Sequence, residues 1–269
     1  MLLFILLLLG IFTGILAGLF GLGGGILFTP ILFTIFQEQG VQNPTAWAIG
    51  TSLFCNFIAA GSSSFQQFKK QNMFWRQGVI VGLFGIAGVF VGKEIVLSPF
   101  YTETVFILFF CLLLVLTAIS YFRRGKSIDR QAINTRPVGI GSGSVTGGTA
   151  GIVAATAGLG GGIVMVPIMN LFYKMSIGRS VSISSFAIVI ISFAGWLQYA
   201  LVQPPIASIN SYTIGYVDFG SALPLVLGAV AGGIIGVNIN HKINRTLLQY
   251  GFSFTVIIVA LYMLIRLFN

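Results

Sequence analysis

Charge is what this chain has least of. Only 7% of its 269 residues are Asp, Glu, Lys or Arg, against roughly 25% in soluble globular chains. So few charges cannot cover a water-exposed surface of this size, which excludes a soluble enzyme. Acids are scarcest, five against fourteen bases, and there is one histidine. With no paired carboxylates, no HExxH and no GxSxG, a membrane-embedded enzyme has few candidate residues, and neither a metal nor a cofactor is expected. The two cysteines, Cys55 and Cys111, lie in apolar runs without CxxC spacing and read as packing residues rather than a disulfide or metal pair. A basic leader is also lacking, so the first apolar segment is expected to belong to the fold.

What is present is apolar surface and glycine. Hydrophobic residues make up 56% of the chain and the mean hydropathy is +0.99. Glycine is abundant, 35 residues against a typical share of roughly 7%, but without the Gly-X-Y period of collagen. These features describe an all-α polytopic membrane protein. The net charge of +9 does not indicate nucleic acid, because the bases lie between apolar spans, as cytoplasmic loops require whatever the ligand.

A helix needs about 20 apolar residues to cross a bilayer. Conventional spans are expected at 46–68, 75–97, 102–122, 180–202, 217–238 and 247–268. Two further stretches, 2–36 and 138–172, are too long for one crossing and are broken by glycine pentads at 21–25 and 158–162. Lys69, Lys70 and Arg76, the bases between Arg123 and Arg136, Lys174 with Arg179, and Lys242 with Arg245 mark cytoplasmic loops. Glu38, Glu103 and Asp218 mark external ones. Each broken stretch must then start and end on one side, as two short crossings or a re-entrant hairpin. The expected organisation is a first membrane repeat at 1–122, a basic cytoplasmic linker at 123–136, and a second, inverted repeat at 137–269. Both termini are expected outside the plasma membrane.

The halves match in sequence as well. Residues 14–31 align without gaps on 151–168, superposing the pentads and pairing Pro30 with Pro167. Downstream, Thr51-Ser52 matches Ser184-Ser185, and Gly88 and Gly92 match Gly232 and Gly236. Inverted repeats with interrupted helices at corresponding places point to a secondary transporter whose site lies where the breaks meet. In lipid, an unpaired backbone amide costs several kcal/mol, so non-helical backbone survives only inside protein or along a cavity. Helices resuming at Gly25 or Ile26, and at Gly162 or Ile163, would point free N–H groups and positive dipole ends into the breaks. Two such ends make an anion site without lysine or arginine. The ladders at Gly88/Gly92 and Gly232/Gly236 read instead as helix packing, within the chain or in a homodimer.

At the doubled pentad-to-proline motif, with Gly50-Thr51-Ser52 and the ladders Gly85/Gly88/Gly92 and Gly228/Gly232/Gly236, the chain resembles the TauE/SafE family of sulfite and sulfonate exporters. The resemblance covers essentially the whole chain. It implies a plasma-membrane permease for a small sulfur-containing oxyanion such as sulfite, sulfoacetate or a related sulfonate. The expected ligands are backbone N–H groups near Gly23, Gly24, Gly25, Gly160, Gly161 and Gly162, with hydroxyls of Thr51, Ser52, Ser184 and Ser185. Asn56, one helical turn beyond Ser52, faces the same side, and Gln198 is a further lining candidate. For each hydroxyl the competing role is a bond to its own helix. Ile183 departs from the pattern, standing where the first half has Gly50. No acid lies mid-span, so export driven by the membrane potential is expected, with proton coupling through Glu94 or through the substrate's own protonation as the alternative. An anion channel, or a permease for another small organic anion, is the competing function; a membrane scaffold would not need two broken helices.

Overall fold

A computed structural model describes residues 2–20, 24–69, 74–125, 138–204, 212–240 and 245–267. Gly23, Lys70, His241, Lys242 and the linker from residue 126 to 137 lie outside these. The described residues form ten helices and one two-residue hairpin. The first half contributes α1 (Leu2–Phe20), α2 (Gly25–Glu38), α3 (Pro44–Lys69), α4 (Trp75–Leu97) and α5 (Glu103–Gly125). The second contributes α6 (Ile140–Ala157), α7 (Gly162–Leu171), α8 (Ile177–Ala200), α9 (Phe219–Asn240) and α10 (Arg245–Arg266). The hairpin, β1 (Thr213–Ile214) and β2 (Val217–Asp218), precedes α9.

Helix α2 begins at Gly25 and α7 at Gly162, each at the last glycine of its pentad, where the sequence places the resumption. At 1.5 Å per residue, α1 and α6 rise about 28 and 27 Å, whereas α2 and α7 rise about 21 and 15 Å, short of the roughly 30 Å hydrocarbon core. The α6–α7 pair doubles back, since the Tyr173 hydroxyl beyond α7 donates to Ser142 O near the start of α6 at 3.5 Å. Pro30 and Pro167 sit inside the two short helices. Each removes a backbone donor at matching places, which leaves a carbonyl four residues upstream without its helical partner.

The helices pair in a pattern that survives exchange of each first-half helix for its second-half counterpart. Helix α1 packs on α9 as α6 packs on α4; α2 packs on α3 as α7 packs on α8; and α3 packs on α9 as α8 packs on α4. The remaining large contacts, α3 with α8 and α5 with α10, join counterparts directly. Glycine permits the close approaches. A Cβ on Gly14 would strike Ala229 O, and one on Gly151 would strike Gly85 O. A Cβ on Gly232 would meet Ile11 O, and one on Gly88 would meet Gly148 O. These positions correspond under the sequence alignment, so both ladders are used within the chain, each joining one half to the other.

Outward faces carry bare apolar side chains, among them Leu83, Phe90, Leu112, Leu116, Leu227, Phe254 and Leu261. Such an extent of exposed apolar surface suits lipid and not water. Four helices among the described residues are long and apolar enough to cross a membrane by themselves: α4, and within α5, α8 and α9 the segments Glu103–Ser120, Gly178–Ala200 and Phe219–Gly236. Helix α3 has 26 residues yet is not one of them, because Thr45, Thr51, Ser52, Asn56 and Ser64 dilute its hydropathy. All five are buried, as befits a central helix shielded from lipid by its neighbours.

Two groups of polar contacts lie at helix ends. Glu38 pairs with Arg266, and Gln37 donates to Glu103 at 3.3 Å. At another end Arg179 donates to Gln77 at 3.3 Å and lies over the Phe74 ring.

Candidate functional site

Helix α6 ends at Gly158, whose left-handed backbone (φ 70°) returns its N–H to Ala154 O at 2.9 Å. Gly160 and Gly161 are also left-handed, at φ 67° and 79°. Three glycines in this conformation turn the chain within the break at no Cβ penalty, which another residue could not do. Gly161 caps α7 by accepting from Val164 N and Met165 N at 3.2 and 3.1 Å. Gly24 caps α2 likewise through Leu27 N and Phe28 N at 3.0 and 3.1 Å. Among the described residues no side chain caps either helix, so there the first-turn N–H groups lack the hydroxyl or carboxylate that ordinarily takes them.

The carbonyl side of the second break is closed off. Gly158 O receives the Thr29 hydroxyl at 3.1 Å, the Ser52 hydroxyl at 3.1 Å and the Asn56 amide at 2.8 Å. One turn earlier, Tyr199 donates to Ala155 O and Tyr101 to Thr156 O, each at 2.8 Å. Burial pushes the Tyr101 phenol well above its ordinary value, which keeps its proton on and its donation intact. These side chains come from α2, α3, α8 and the α4–α5 connection, and they neutralise the negative end of α6. What the break leaves to a ligand is therefore its donor side.

The first break comes to the same place. A Cβ on Gly25 would lie 2.7 Å from Asn56 Nδ2 and 2.8 Å from Leu159 Cα. The start of α2 thus rests on the second pentad with the Asn56 amide between them. On the other side of that amide, a Cβ on Gly160 would lie 3.5 Å from Asn56 Cγ and 3.4 Å from Ser192 Oγ. Asn56 and Ser192 are both buried, and neither Asn56 Oδ1 nor Ser192 Oγ has a hydrogen-bond partner among the described residues.

Among the residues expected from sequence, Gly24, Gly25, Ser52, Asn56, Gly160, Gly161 and Gly162 belong to this one locus; Gly23 is not described. The other hydroxyls have structural partners. Thr51 Oγ1 accepts from Asp218 N at 3.0 Å, while Ser184 and Ser185 donate to Val181 O at 3.0 and 2.8 Å. Ser52 shares its single proton between Gly158 O and Ile49 O, the latter at 2.9 Å. Gln198 lies about 9 Å of helix rise beyond Ser192, with a buried Oε1 that accepts nothing.

Sequence reasoning missed Thr29, Tyr101, Tyr199 and Ser192, whose spacing carries no signal of its own. Asp218, read as an external-loop marker, is buried. Its carboxylate caps α9 by accepting from Gly220 N at 2.9 Å and Ser221 N at 3.2 Å, so the helix begins two residues later than the expected span.

The chain as a whole is similar to a known family of membrane proteins. The family profile "Sulfite exporter TauE/SafE" matches residues 6–263. A "Probable membrane transporter protein" of Methanocaldococcus jannaschii is 31% identical, over 97% of this chain and 95% of its own. Another of Haemophilus influenzae is 28% identical over 97% of each chain, and one of Bacillus subtilis is 28% identical over 89% of each. No solved structure matches the chain.

Proposed function

Because this chain belongs to the TauE/SafE sulfite exporter family, and is thereby a multi-pass membrane transporter, we propose that it exports a small sulfur-containing oxyanion across the plasma membrane. Sulfite, sulfoacetate and related sulfonates are the substrate class. The two halves act as inverted repeats, with the basic linker in the cytoplasm and both termini outside.

The observation that carries this reading is the polarity of the joined breaks. Carbonyls at the end of α6 are taken by Tyr101, Tyr199, Thr29, Ser52 and Asn56, whereas the starts of α2 and α7 have no side-chain cap. A locus whose helix-end carbonyls are taken while the N–H groups of two helix starts are left unfilled suits an anion. A cation would need the reverse, since carbonyls and carboxylates are its ligands. The donors are backbone groups, which explains how an anion can be bound in a region without lysine or arginine. An interior-negative potential favours anion exit by roughly 2.3 kcal/mol per charge per 100 mV, so no intramembrane carboxylate relay is required.

The test is uptake by purified protein in liposomes of labelled sulfite, sulfoacetate, thiosulfate and sulfate, with and without an imposed potential. Saturable, potential-sensitive flux of at least one anion is the expected result. Silence for all four from folded protein would contradict it, and flux without saturation or counterflow would indicate a channel instead.

A further inference from the structure

Asn56 has a fixed orientation. Gly158 O can only accept, and Asn56 donates to it at 2.8 Å, so the NH2 group faces that carbonyl and Oδ1 is the free end. Oδ1 is buried and accepts nothing. Ser192 Oγ is in the same condition, and both side chains face the Cβ position of Gly160, Ser192 Oγ at 3.4 Å and Asn56 Cγ at 3.5 Å. Other buried polar atoms lack partners too, at Thr13, Thr45 and Ser64 for example, but Asn56 and Ser192 are the pair that flank the second break.

An acceptor here is at odds with a fully ionised oxyanion. Each oxygen of such a ligand is also an acceptor, so Asn56 Oδ1 would stay unpaired and face negative charge. An oxyanion that retains one acidic O–H removes the conflict: its ionised oxygens take backbone N–H groups and its hydroxyl donates to the amide oxygen. The Ser192 hydroxyl, with two lone pairs and one proton, can serve either kind of ligand oxygen. Sites that expect a ligand hydrogen bond discriminate strongly against analogues lacking the group, because the site's own buried atom is then left unpaired.

We propose that this transporter selects a protonated oxyanion, the O–H form of hydrogensulfite above ionised sulfonates, with Asn56 Oδ1 as the group that reads its hydrogen and the Ser192 hydroxyl as a further, unselective contact. This rests on the breaks being the anion site.

The experiment uses the full chain in liposomes, in mildly acidic buffer where sulfite is chiefly hydrogensulfite. Uptake of labelled sulfite is competed with unlabelled sulfite, with methanesulfonate and with hydroxymethanesulfonate. Methanesulfonate has the same charge and sulfonyl oxygens but no O–H, and is expected to compete at least about tenfold more weakly than hydrogensulfite. Hydroxymethanesulfonate, bulkier but bearing an O–H, is expected to compete better than methanesulfonate, which separates hydrogen bonding from size. Ser192→Ala should weaken competition by both anions about alike, whereas Asn56→Ala should shrink the hydrogensulfite-to-methanesulfonate ratio severalfold. Thr29 and Ser52 still hold Gly158 O in the second variant, and a ratio does not depend on how much protein is folded. Saturable sulfite uptake with equal competition by methanesulfonate, or a ratio unchanged in Asn56→Ala, would overturn this inference and leave the parent reading standing. Lack of saturable uptake of any anion would overturn both.

Discussion

At the scale of single residues, the site depends on side chains that hold backbone rather than ligand. Tyr199 is fully buried and its hydroxyl satisfies Ala155 O. Tyr199→Phe keeps the ring packing but leaves that carbonyl unpaired, which should cost about 1–3 kcal/mol. The readout is a lowered thermal unfolding midpoint in detergent, with the protein still inserted in the membrane. A midpoint equal to the wild type would mean that the bond contributes nothing net. Gly158 is constrained twice over, by its left-handed φ of 70° and by Thr29 Oγ1 and Ser52 Oγ occupying the space a Cβ would need. Gly158→Ala should therefore destabilise the break itself, detectable as faster proteolysis between α6 and α7 than in the wild type; an unchanged cleavage rate would contradict this.

At the scale of elements, glycine has two separate uses, and both were legible in the sequence in different degrees. The pentads announce breaks because consecutive glycines cannot sustain helix in lipid, and α2 and α7 begin where that argument puts them. The ladders announce close approach, but a ladder does not name the helix it approaches. Only the structure pairs α1 with α9 and α4 with α6. The packing role predicts a contrast. Gly151→Val would drive its side chain into Gly85 O and should cost about 1–3 kcal/mol or more. Gly251 in α10 has no neighbour within 4 Å of a Cβ position, so Gly251→Ala should be neutral or stabilising by about 0.5–1 kcal/mol. Thermal unfolding of both variants in one detergent checks this, and equal effects would contradict the packing account.

At the scale of the whole molecule, the matching contacts of the two halves agree with the gapless alignment of 14–31 on 151–168, yet the site is not symmetric. Thr29, Ser52 and Asn56 all come from the first half and act on Gly158 of the second. The aligned second-half positions carry Val166, Ser185 and Val189, and of these only Ser185 has a polar side chain, which bonds to its own helix. Sequence alignment exposes that difference, but not its use, because hydroxyls in apolar runs bond equally well within their helix or across to another. The hydroxyls of Thr51, Ser184 and Ser185 illustrate this: their type and position suggest a ligand, and their partners are Asp218 N and Val181 O.

The central claim is that backbone N–H groups at the joined breaks bind the transported anion. It is tested most directly by sulfite uptake in liposomes containing Gly24→Val or Gly161→Val, each shown to be inserted and folded. Gly161 is left-handed with Ala150 O 2.6 Å from its Cβ position, so its substitution displaces the first turn of α7, and a Cβ on Gly24 would strike the buried Phe28 ring, so its substitution forces that ring from its place at the start of α2. The account predicts loss of saturable uptake in both. Wild-type uptake by both variants would contradict it.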